Sequence, residues 1–379
     1  MKILALDNYG QEKNAKHNTV YGYVNGERLF FKSGLGQELQ LCAEPFISAM
    51  LLPAMQTGAK IEIPRELEAS AEFLRNINSL QDIFSTWFPY LSRVKIDVGI
   101  RRASVPNHPN STAAFFSGGI DACYTLLKHD LSLTHLVYVK GIDMQLEGNE
   151  LWQQCLNRNQ QIALRHNKTL VPIESNVRFF IRRLSNSHIG WSMAQGCGLA
   201  SIAHVLGFPR IIINSSNTYK ELHPLGSHPL SDPLFSSDSV EIIHKGCEAS
   251  RHKKLIEISK AEELLTNLRV CWQDKGFNCG HCDKCLHLRM SLYLLKLEAG
   301  GLKPLTDFKE LSAAHTGTHG EYIEWEDNLI LAEKVGDKKA IKALRKILNR
   351  YKKKQLSKLV DEIYFNGKMQ KLKSKSKSN

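Results

Sequence analysis

The chain has 379 residues, of which 42% are hydrophobic and 23% are charged; this composition is typical of a folded globular protein and excludes general disorder. The formal net charge is +12, but residues 333–379 hold 16 basic and 4 acidic residues, so the other 332 residues hold 34 of each. The main body is therefore not a basic nucleic-acid-binding domain, and nucleic-acid binding is expected, if at all, only from a separable basic tail.

The location of the protein is predicted from its apolar runs and its cysteines. No apolar run approaches the ~20 residues that span a bilayer. The apolar start is interrupted at Asp7, before the apolar region of a signal peptide could form. The nine cysteines are odd in number and four lie in one short stretch, which is typical of a metal site rather than of a secreted disulfide framework. We therefore expect a cytoplasmic protein with no membrane partner.

Residues 1–105 are expected to form an N-terminal α+β domain. Asn25-Gly26 lies between two segments rich in aromatic and β-branched residues, which is the strongest short-range signal for a β-hairpin. The remaining predicted elements are hairpin strands at 19–24 and 28–31, helices near 44–57 and 67–89, a strand at 93–98, and a turn-rich linker from Pro106 to Pro109.

Residues 111–300 are expected to form a second domain of α/β class. Short apolar runs alternate with helical stretches, which predicts a sheet of five parallel strands with helices on both faces. Ligands in such sheets bind beyond the carboxyl ends of the strands. The predicted strands are 113–116, 135–139, 169–173, 210–214 and 240–244, and Ser250 is expected to cap the helix after the last one. Residues 301–379 are expected to form a helical extension that ends in the basic tail.

A glycine-rich segment follows the first of these strands and opens the next helix. It reads Ser117-Gly118-Gly119-Ile120-Asp121. Adjacent glycines allow a tight turn and close approach to an anion, and amides at a helix N-terminus form a phosphate cradle. A carboxylate in this cradle is explained if Asp121 holds Mg²⁺ bound to phosphate. The alternative is a plain glycine turn in which Asp121 caps the helix.

This segment resembles the pyrophosphate loop of the N-type ATP pyrophosphatases, also called the PP-loop superfamily. The resemblance implies a Rossmann-like five-stranded parallel sheet. It also implies cleavage of ATP between the α and β phosphates, transfer of AMP to a substrate oxygen, and displacement of AMP by a nucleophile. It implies nucleotide binding by residues 117–122, with Ser117 and Asp121 as the catalytic pair. The family motif has serine at the last position, where this chain has Ala122, so one hydroxyl contact to pyrophosphate is missing.

Four cysteines are spaced C-x7-C-x2-C-x2-C. They are Cys271, Cys279, Cys282 and Cys285. Four thiolates meet the tetrahedral demand of structural Zn²⁺ and leave no position for water. An iron–sulfur cluster could use the same four ligands.

The segment from Cys279 to Arg289 looks like the C-terminal zinc motif of the 7-cyano-7-deazaguanine synthase family of queuosine biosynthesis. Together with the phosphate loop, the resemblance covers residues 111–298. It implies an enzyme that uses ATP, Mg²⁺ and Zn²⁺ to activate the carboxylate of 7-carboxy-7-deazaguanine or a related base. Ammonia then converts the acyl group, through an amide, to a nitrile.

Paralogues of this family also occur in bacterial antiphage operons. The extra N-terminal domain and an altered loop fit such a paralogue, in which an amine on a partner protein could replace ammonia. The loop after the fourth strand lacks the Tyr-Pro-Asp-Cys core of the synthases and carries two His-Pro pairs. Its candidate substrate contacts are Asn217, His223, His228 and Asp232. Loops of this composition are also common as plain turns.

Two other functions are consistent with the sequence. Cys123 and Cys197 could carry a persulfide, as in the tRNA thiolases of the same superfamily, although both also suit small buried helix positions. A non-catalytic nucleotide-binding module is the other alternative, and the missing hydroxyl at Ala122 is its only support.

A few further side chains are placed by position alone. Lys140 and Asp143 follow the second strand of the α/β domain and flank the expected adenosine site. Arg251 and Lys253 begin the helix after the fifth strand, where we expect them to face solvent rather than phosphate.

Overall fold

The computed structural model describes residues 2–101, 110–273, 275–314 and 316–365. The chain folds into two compact units, Met1–Arg269 and Val270–Asn379. The predicted linker at Pro106 to Pro109 and the lysine-rich end at 371–377 lie outside the described residues. None of the described helices combines the length and the apolar character that crossing a membrane requires.

A ten-stranded sheet forms the centre of the first unit. Its strands lie in the order β12-β11-β8-β9-β10-β3-β2-β1-β4-β6, and β5 and β7 pair separately. The strands are β1 (Ile3–Lys13), β2 (His17–Val24), β3 (Glu27–Gly34), β4 (Lys60–Glu62), β5 (Ala69–Ser70), β6 (Ile96–Asp97), β7 (Ile100–Arg101), β8 (Thr112–Phe115), β9 (His135–Lys140), β10 (Thr169–Ser175), β11 (Arg210–Asn214) and β12 (Glu241–Lys245).

Five of these strands form the parallel part of the sheet. All neighbours from β12 through β11, β8 and β9 to β10 are parallel. In chain order these strands lie 5-4-1-2-3, so the connections after β8 and after β11 lead to opposite sides. This is the topological switch point at which doubly wound sheets bind ligands. The sheet class is therefore α/β as predicted.

The prediction of a five-stranded sheet is wrong, because the N-terminal strands extend the same sheet. The hairpin of β2 and β3 turns at Asn25 and Gly26, both at positive φ, as the sequence predicts. β3 then pairs antiparallel with β10. Asn176 reinforces this junction, since its Oδ1 accepts from the Phe30 N–H at 3.0 Å. The sequence signals of each strand are local, whereas this pairing joins residues about 140 positions apart.

Helices cover the sheet of the first unit, and the most apolar of them are deeply buried. α1 and α6 contact each other and belong to the main hydrophobic core. Ser250 accepts a hydrogen bond from the Lys253 N–H and caps α7, as predicted. The helices are α1 (Glu44–Thr57), α2 (Ala71–Trp87), α3 (Ile120–His129), α4 (Asn149–Arg165), α5 (Val177–Leu184), α6 (Trp191–Leu206), α7 (Arg251–Ile258) and α8 (Glu262–Thr266), with a 3-10 turn at Asp232–Phe235.

The second unit is helical and has its own core. It contains α9 (Asp283–Leu295), α10 (His319–Val335), α11 (Lys338–Phe365) and a 3-10 turn at Phe308–Ala313. Met290 of α9, Trp325 of α10, and Leu344 and Ile347 of α11 are buried in one cluster. The first half of α11 is therefore part of the fold, so the expectation that residues 333–379 form a separable tail is wrong.

Candidate functional site

The predicted phosphate loop lies at the switch point of the first unit. Gly118 follows β8 at φ +76°, a conformation that favours glycine. Gly119 precedes α3 and its N–H donates to Ser117 Oγ at 3.4 Å. No side chain caps α3, so no capping group competes with an anion for the first-turn amides. Ile120 and Ala122 are buried in the first turn. The loop therefore has the backbone geometry of an anion cradle.

Two cationic side chains of α7 hold Asp121. Lys254 Nζ donates to Asp121 Oδ1 at 2.8 Å, and Arg251 Nη2 lies 3.6 Å from Oδ2. The Lys254 side chain is 1% exposed, and Nζ also donates to the Ser215 carbonyl at 2.6 Å. A buried ammonium group requires such partners. The expectation that Arg251 faces solvent is wrong, whereas Lys253 is exposed as expected.

Buried donors beside Gly118 have no hydrogen-bond partner in the described part of the chain. They are Asn159 Nδ2 and two nitrogens of Arg269, Nε and Nη2. Both residues contact the loop: the Arg269 N–H donates to the Gly118 carbonyl at 2.9 Å, and Asn159 Oδ1 would lie 3.0 Å from a Cβ at position 118. Because an unsatisfied buried donor costs free energy, these groups favour an anionic ligand.

The two cysteines considered as persulfide carriers are completely buried. Cys123 lies in α3 and Cys197 in α6, and neither has exposed surface. Burial raises the pKa of both thiols far above the usual value. Both therefore remain protonated at neutral pH, which fits the interpretation as small core residues.

The loop after β11 borders a small cleft. Asn217 and His228 line this cleft, together with Ser215 and His244. His223 does not belong to the lining, and its Nδ1 contacts the Glu221 carbonyl at 2.9 Å. The structure thus brings two of the four predicted loop residues, Asn217 and His228, to the cleft.

The fourth predicted loop residue, Asp232, has no exposed surface. Its carboxylate accepts hydrogen bonds from Ser227 Oγ at 2.7 Å and from the His228 N–H at 3.2 Å, and it pairs with His244 Nδ1 at 2.7 Å. Burial lowers the pKa of His244, but the bond and charge of Asp232 and the adjacent Cys247 raise it to about 9. Asp232 is therefore a positioning residue that shapes the loop and keeps His244 protonated.

Lys140, at the end of β9, lies among polar and aromatic side chains. Lys140 is 3% exposed, and its Nζ donates to Asn149 Oδ1 at 2.9 Å and lies 5.7 Å above the Trp152 ring. Trp152 stacks on Tyr138 with centroids 4.5 Å apart. Asp143 is half-buried. These contacts within the protein are therefore enough to explain why the Lys140 side chain is buried.

The four cysteines of the second unit converge as the spacing predicts. The Sγ atoms of Cys271, Cys279, Cys282 and Cys285 all lie within 4.8 Å of one another. The pairs 271–282 and 279–285 are each separated by 3.9 Å. Zn–S bonds of about 2.3 Å in a tetrahedron place sulfurs about 3.8 Å apart. The cluster therefore fits a structural Zn²⁺ ion.

Neighbouring groups hold the cysteine cluster in shape. Cys282 ends the loop as the N-cap of α9, and its N–H donates to Cys279 Sγ at 3.3 Å. Arg289 of α9 donates to the Gly280 carbonyl at 3.0 Å and forms two bonds to Glu310, at 2.6 and 3.0 Å. Outer contacts of this kind orient metal ligands.

Three residues around the candidate site carry contacts that the sequence reasoning did not anticipate: Lys254, Arg269 and His244. Lys254 follows Arg251 by three positions, a spacing that places both on one helix face, and that signal could have indicated it. Arg269 and His244 gave no signal in isolation, because only the tertiary fold brings them to the site.

Comparison with known proteins adds no relative: no protein-family model, no curated protein and no solved structure matches this chain. The resemblance to the PP-loop superfamily therefore rests on the phosphate-loop and cysteine motifs.

Proposed function

We propose that the protein is a Mg²⁺-dependent ATP pyrophosphatase that adenylates a substrate carboxylate or amide and then passes the activated group to ammonia or an amine. The observation that carries the proposal is the loop from Ser117 to Asp121 at the switch point, next to buried donors of Asn159 and Arg269 that have no partner among the described residues. A phosphate chain would satisfy both the loop amides and these donors.

The roles of the loop residues follow from their chemistry. Ser117, Gly118 and Gly119 would hold the leaving pyrophosphate through backbone amides and one hydroxyl. Asp121 would hold Mg²⁺ against phosphate oxygens, and the metal supplies charge stabilisation while the α–β bond breaks. Lys254 and Arg251, which neutralise Asp121 in the structure, would then be released toward the phosphates.

The second substrate would lie in the cleft bounded by the loop after β11. Asn217 and His228 line this cleft, and burial and the positive charge of His244 lower the pKa of His228. His228 is therefore neutral at pH 7, and because its Nδ1 accepts from the Leu230 N–H at 3.0 Å, its Nε2 carries the proton and can donate to a substrate. Such groups suit a heterocyclic base with a carboxylate, and 7-carboxy-7-deazaguanine is the substrate that the motif resemblance favours. The cysteine cluster would hold Zn²⁺ in a structural role.

The test is incubation with ATP, Mg²⁺ and 7-carboxy-7-deazaguanine, with and without ammonia. We expect AMP and pyrophosphate to be released only with the carboxylate present, and an amide or nitrile to form only with ammonia. Asp121→Ala should abolish AMP formation without changing zinc content, and the exposed Lys253→Ala change should leave both intact. Full activity of Asp121→Ala would exclude this loop as the metal-binding element.

A further inference from the structure

A cysteine, a histidine and an aspartate lie together at the carboxyl ends of β11 and β12, apart from the phosphate loop. His244 pairs with Asp232 at 2.7 Å through Nδ1, and both side chains are at least 96% buried. The other ring nitrogen, Nε2, is buried and makes no hydrogen bond of ordinary geometry in the described part of the chain. Cys247 follows three residues later and is close enough for the imidazole to act on its thiol.

Asp232 is held rigidly, so His244 is oriented in advance. The loop that carries Asp232 packs directly on α6: a Cβ at Gly196 would lie 2.3 Å from the Gly226 carbonyl and 2.8 Å from Asp232 Oδ1. The Gly196 N–H donates to the Gly226 carbonyl at 3.0 Å. An acid fixed in this way orients its histidine and stabilises the imidazolium, as in other base–nucleophile pairs.

The surroundings of Cys247 favour a thiolate. Burial raises the pKa of the Cys247 thiol, but the nearby His244, the contact with Ser215 and the charges of His244 and Lys254 outweigh it, so the pKa lies below its usual value. The thiol lies 3.1 Å from Ser215 Oγ. Cys123 and Cys197, by contrast, have pKa values that are raised by burial. Cys247 is thus distinguished from these two core cysteines by the groups around it.

Ser215 links this thiol to the phosphate loop. Its hydroxyl contacts Cys247, and its carbonyl accepts from Lys254, which in turn holds Asp121. Ser215 and His244 both line the cleft beside the loop after β11. Cys247 itself is 2% exposed and contacts Ser215, which lines the cleft. A nucleophilic role would therefore require its side chain to turn from Ser215 toward the cleft.

We propose that Cys247 is a nucleophile that accepts the acyl group of the adenylated substrate as a thioester before the amine attacks. In the first step the thiolate sulfur bonds to the carbonyl carbon, and the bond from that carbon to the AMP oxygen breaks. AMP leaves with the electron pair. In the second step the amine nitrogen bonds to the same carbon, the C–S bond breaks and the thiolate is restored beside protonated His244. The proton lost by the amine passes to solvent, and no oxidant or reductant is needed.

This proposal rests on the proposed function. The first of its two tests, alkylation of the cysteines, does not depend on that function. In that test the whole protein is treated with iodoacetamide at neutral pH and its peptides are mapped by mass. Cys247 should be alkylated at least about tenfold faster than Cys123 or Cys197, since thiolate is the reactive species. His244→Gln should slow alkylation of Cys247 to the rate of those two. Equal rates at all three cysteines in the unmodified chain would overturn the proposal.

The second test detects the thioester directly. The protein is mixed with ATP, Mg²⁺ and 7-carboxy-7-deazaguanine without amine, quenched in acid and weighed intact. We expect an added acyl mass that hydroxylamine removes, that Cys247→Ser lacks and that Cys123→Ser retains. Exchange of labelled pyrophosphate into ATP is measured in parallel. Exchange without an acyl mass overturns the Cys247 proposal alone, whereas absence of exchange counts against the proposed function and leaves Cys247 to be decided by the alkylation rates.

Discussion

The ion pair of His244 and Asp232 makes the stability of the first unit depend on pH. Burial lowers the pKa of His244, but Asp232 and Cys247 raise it from 6.5 to about 9. Each pKa unit corresponds to about 1.4 kcal/mol, so protonation of His244 stabilises the folded state by about 3 kcal/mol. The folded pKa lies above the unfolded one. The stabilisation is therefore fully present below pH 6.5 and is lost as the pH rises through about 9.

A double-mutant cycle isolates this pair. His244→Gln, Asp232→Asn and the double variant are compared with the unmodified protein by urea unfolding, followed by tryptophan fluorescence and circular dichroism. We expect a coupling free energy of about 3 kcal/mol near pH 6 that falls below about 1 kcal/mol near pH 10. The cycle subtracts the effects on the other bonds of Asp232, because both variants that carry Asp232→Asn change these bonds equally.

Ser227→Ala is the matched control for this cycle. It removes a second donor to the Asp232 carboxylate, at 2.7 Å. Because a serine hydroxyl does not titrate, the loss of stability in this variant should be the same at pH 6 and at pH 10. A coupling between His244 and Asp232 that is equal near pH 6 and pH 10 would refute the charge-based explanation.

Three further changes test other parts of the structure. Lys254→Met should destabilise the protein by about 1–3 kcal/mol, because it removes a buried partner from the Ser215 carbonyl and from Asp121, whose side chain is 21% exposed and keeps Arg251. The exposed Lys253→Met should cost less than about 0.5 kcal/mol in the same urea titration. Cys282→Ser should lower zinc content, measured by elemental analysis, from one ion per chain, and should lower the thermal stability of the second unit. Gly118→Ala should lower the free energy of unfolding by about 1–2 kcal/mol through its positive φ, and it should also weaken ATP binding measured by calorimetry. Gly148→Ala, also at positive φ, should lower the stability in the same way but leave ATP binding unchanged.

Local sequence signals predicted most elements of the first unit. The Asn25-Gly26 hairpin, the helix at 44–57 and the strand at 210–214 lie where the sequence places them, because turn chemistry and apolar periodicity act over a few residues. The strand at 93–98 is shorter than predicted, since only Ile96–Asp97 pairs. The long first strand, β1, was missed because polar residues occupy its second half.

The size of the sheet could not be derived from those signals. The pairing of β3 with β10 joins segments that look like strands of two separate sheets, and nothing in either segment specifies the partner. Ser33 and Asn176 make bonds across this junction, but serine and asparagine are equally common in turns. The packing of the whole core determines which distant strands pair. A single sequence does not contain a local signal for that packing.

The residues of the candidate site divide in the same way, into those that short motifs predict and those that only the folded chain brings together. The glycine loop and the four cysteines were found because their chemistry lies in short motifs. Lys254, by contrast, belongs to a run of basic residues in which only burial distinguishes it from its exposed neighbour. The pair of Asp232 and His244 spans twelve positions and two different elements, and Asp232 had been predicted as a substrate contact rather than as the partner of a histidine.

The central claim is that a substrate carboxylate oxygen attacks the α-phosphorus of ATP at the loop from Ser117 to Asp121. The most direct test uses 7-carboxy-7-deazaguanine whose carboxylate carries a heavy oxygen isotope, with ATP, Mg²⁺ and ammonia. Mass analysis of the nucleotide product should find one heavy oxygen in the phosphate of AMP, and none when Asp121→Ala replaces the unmodified protein. AMP without the isotope, or ADP as the product, would contradict the account.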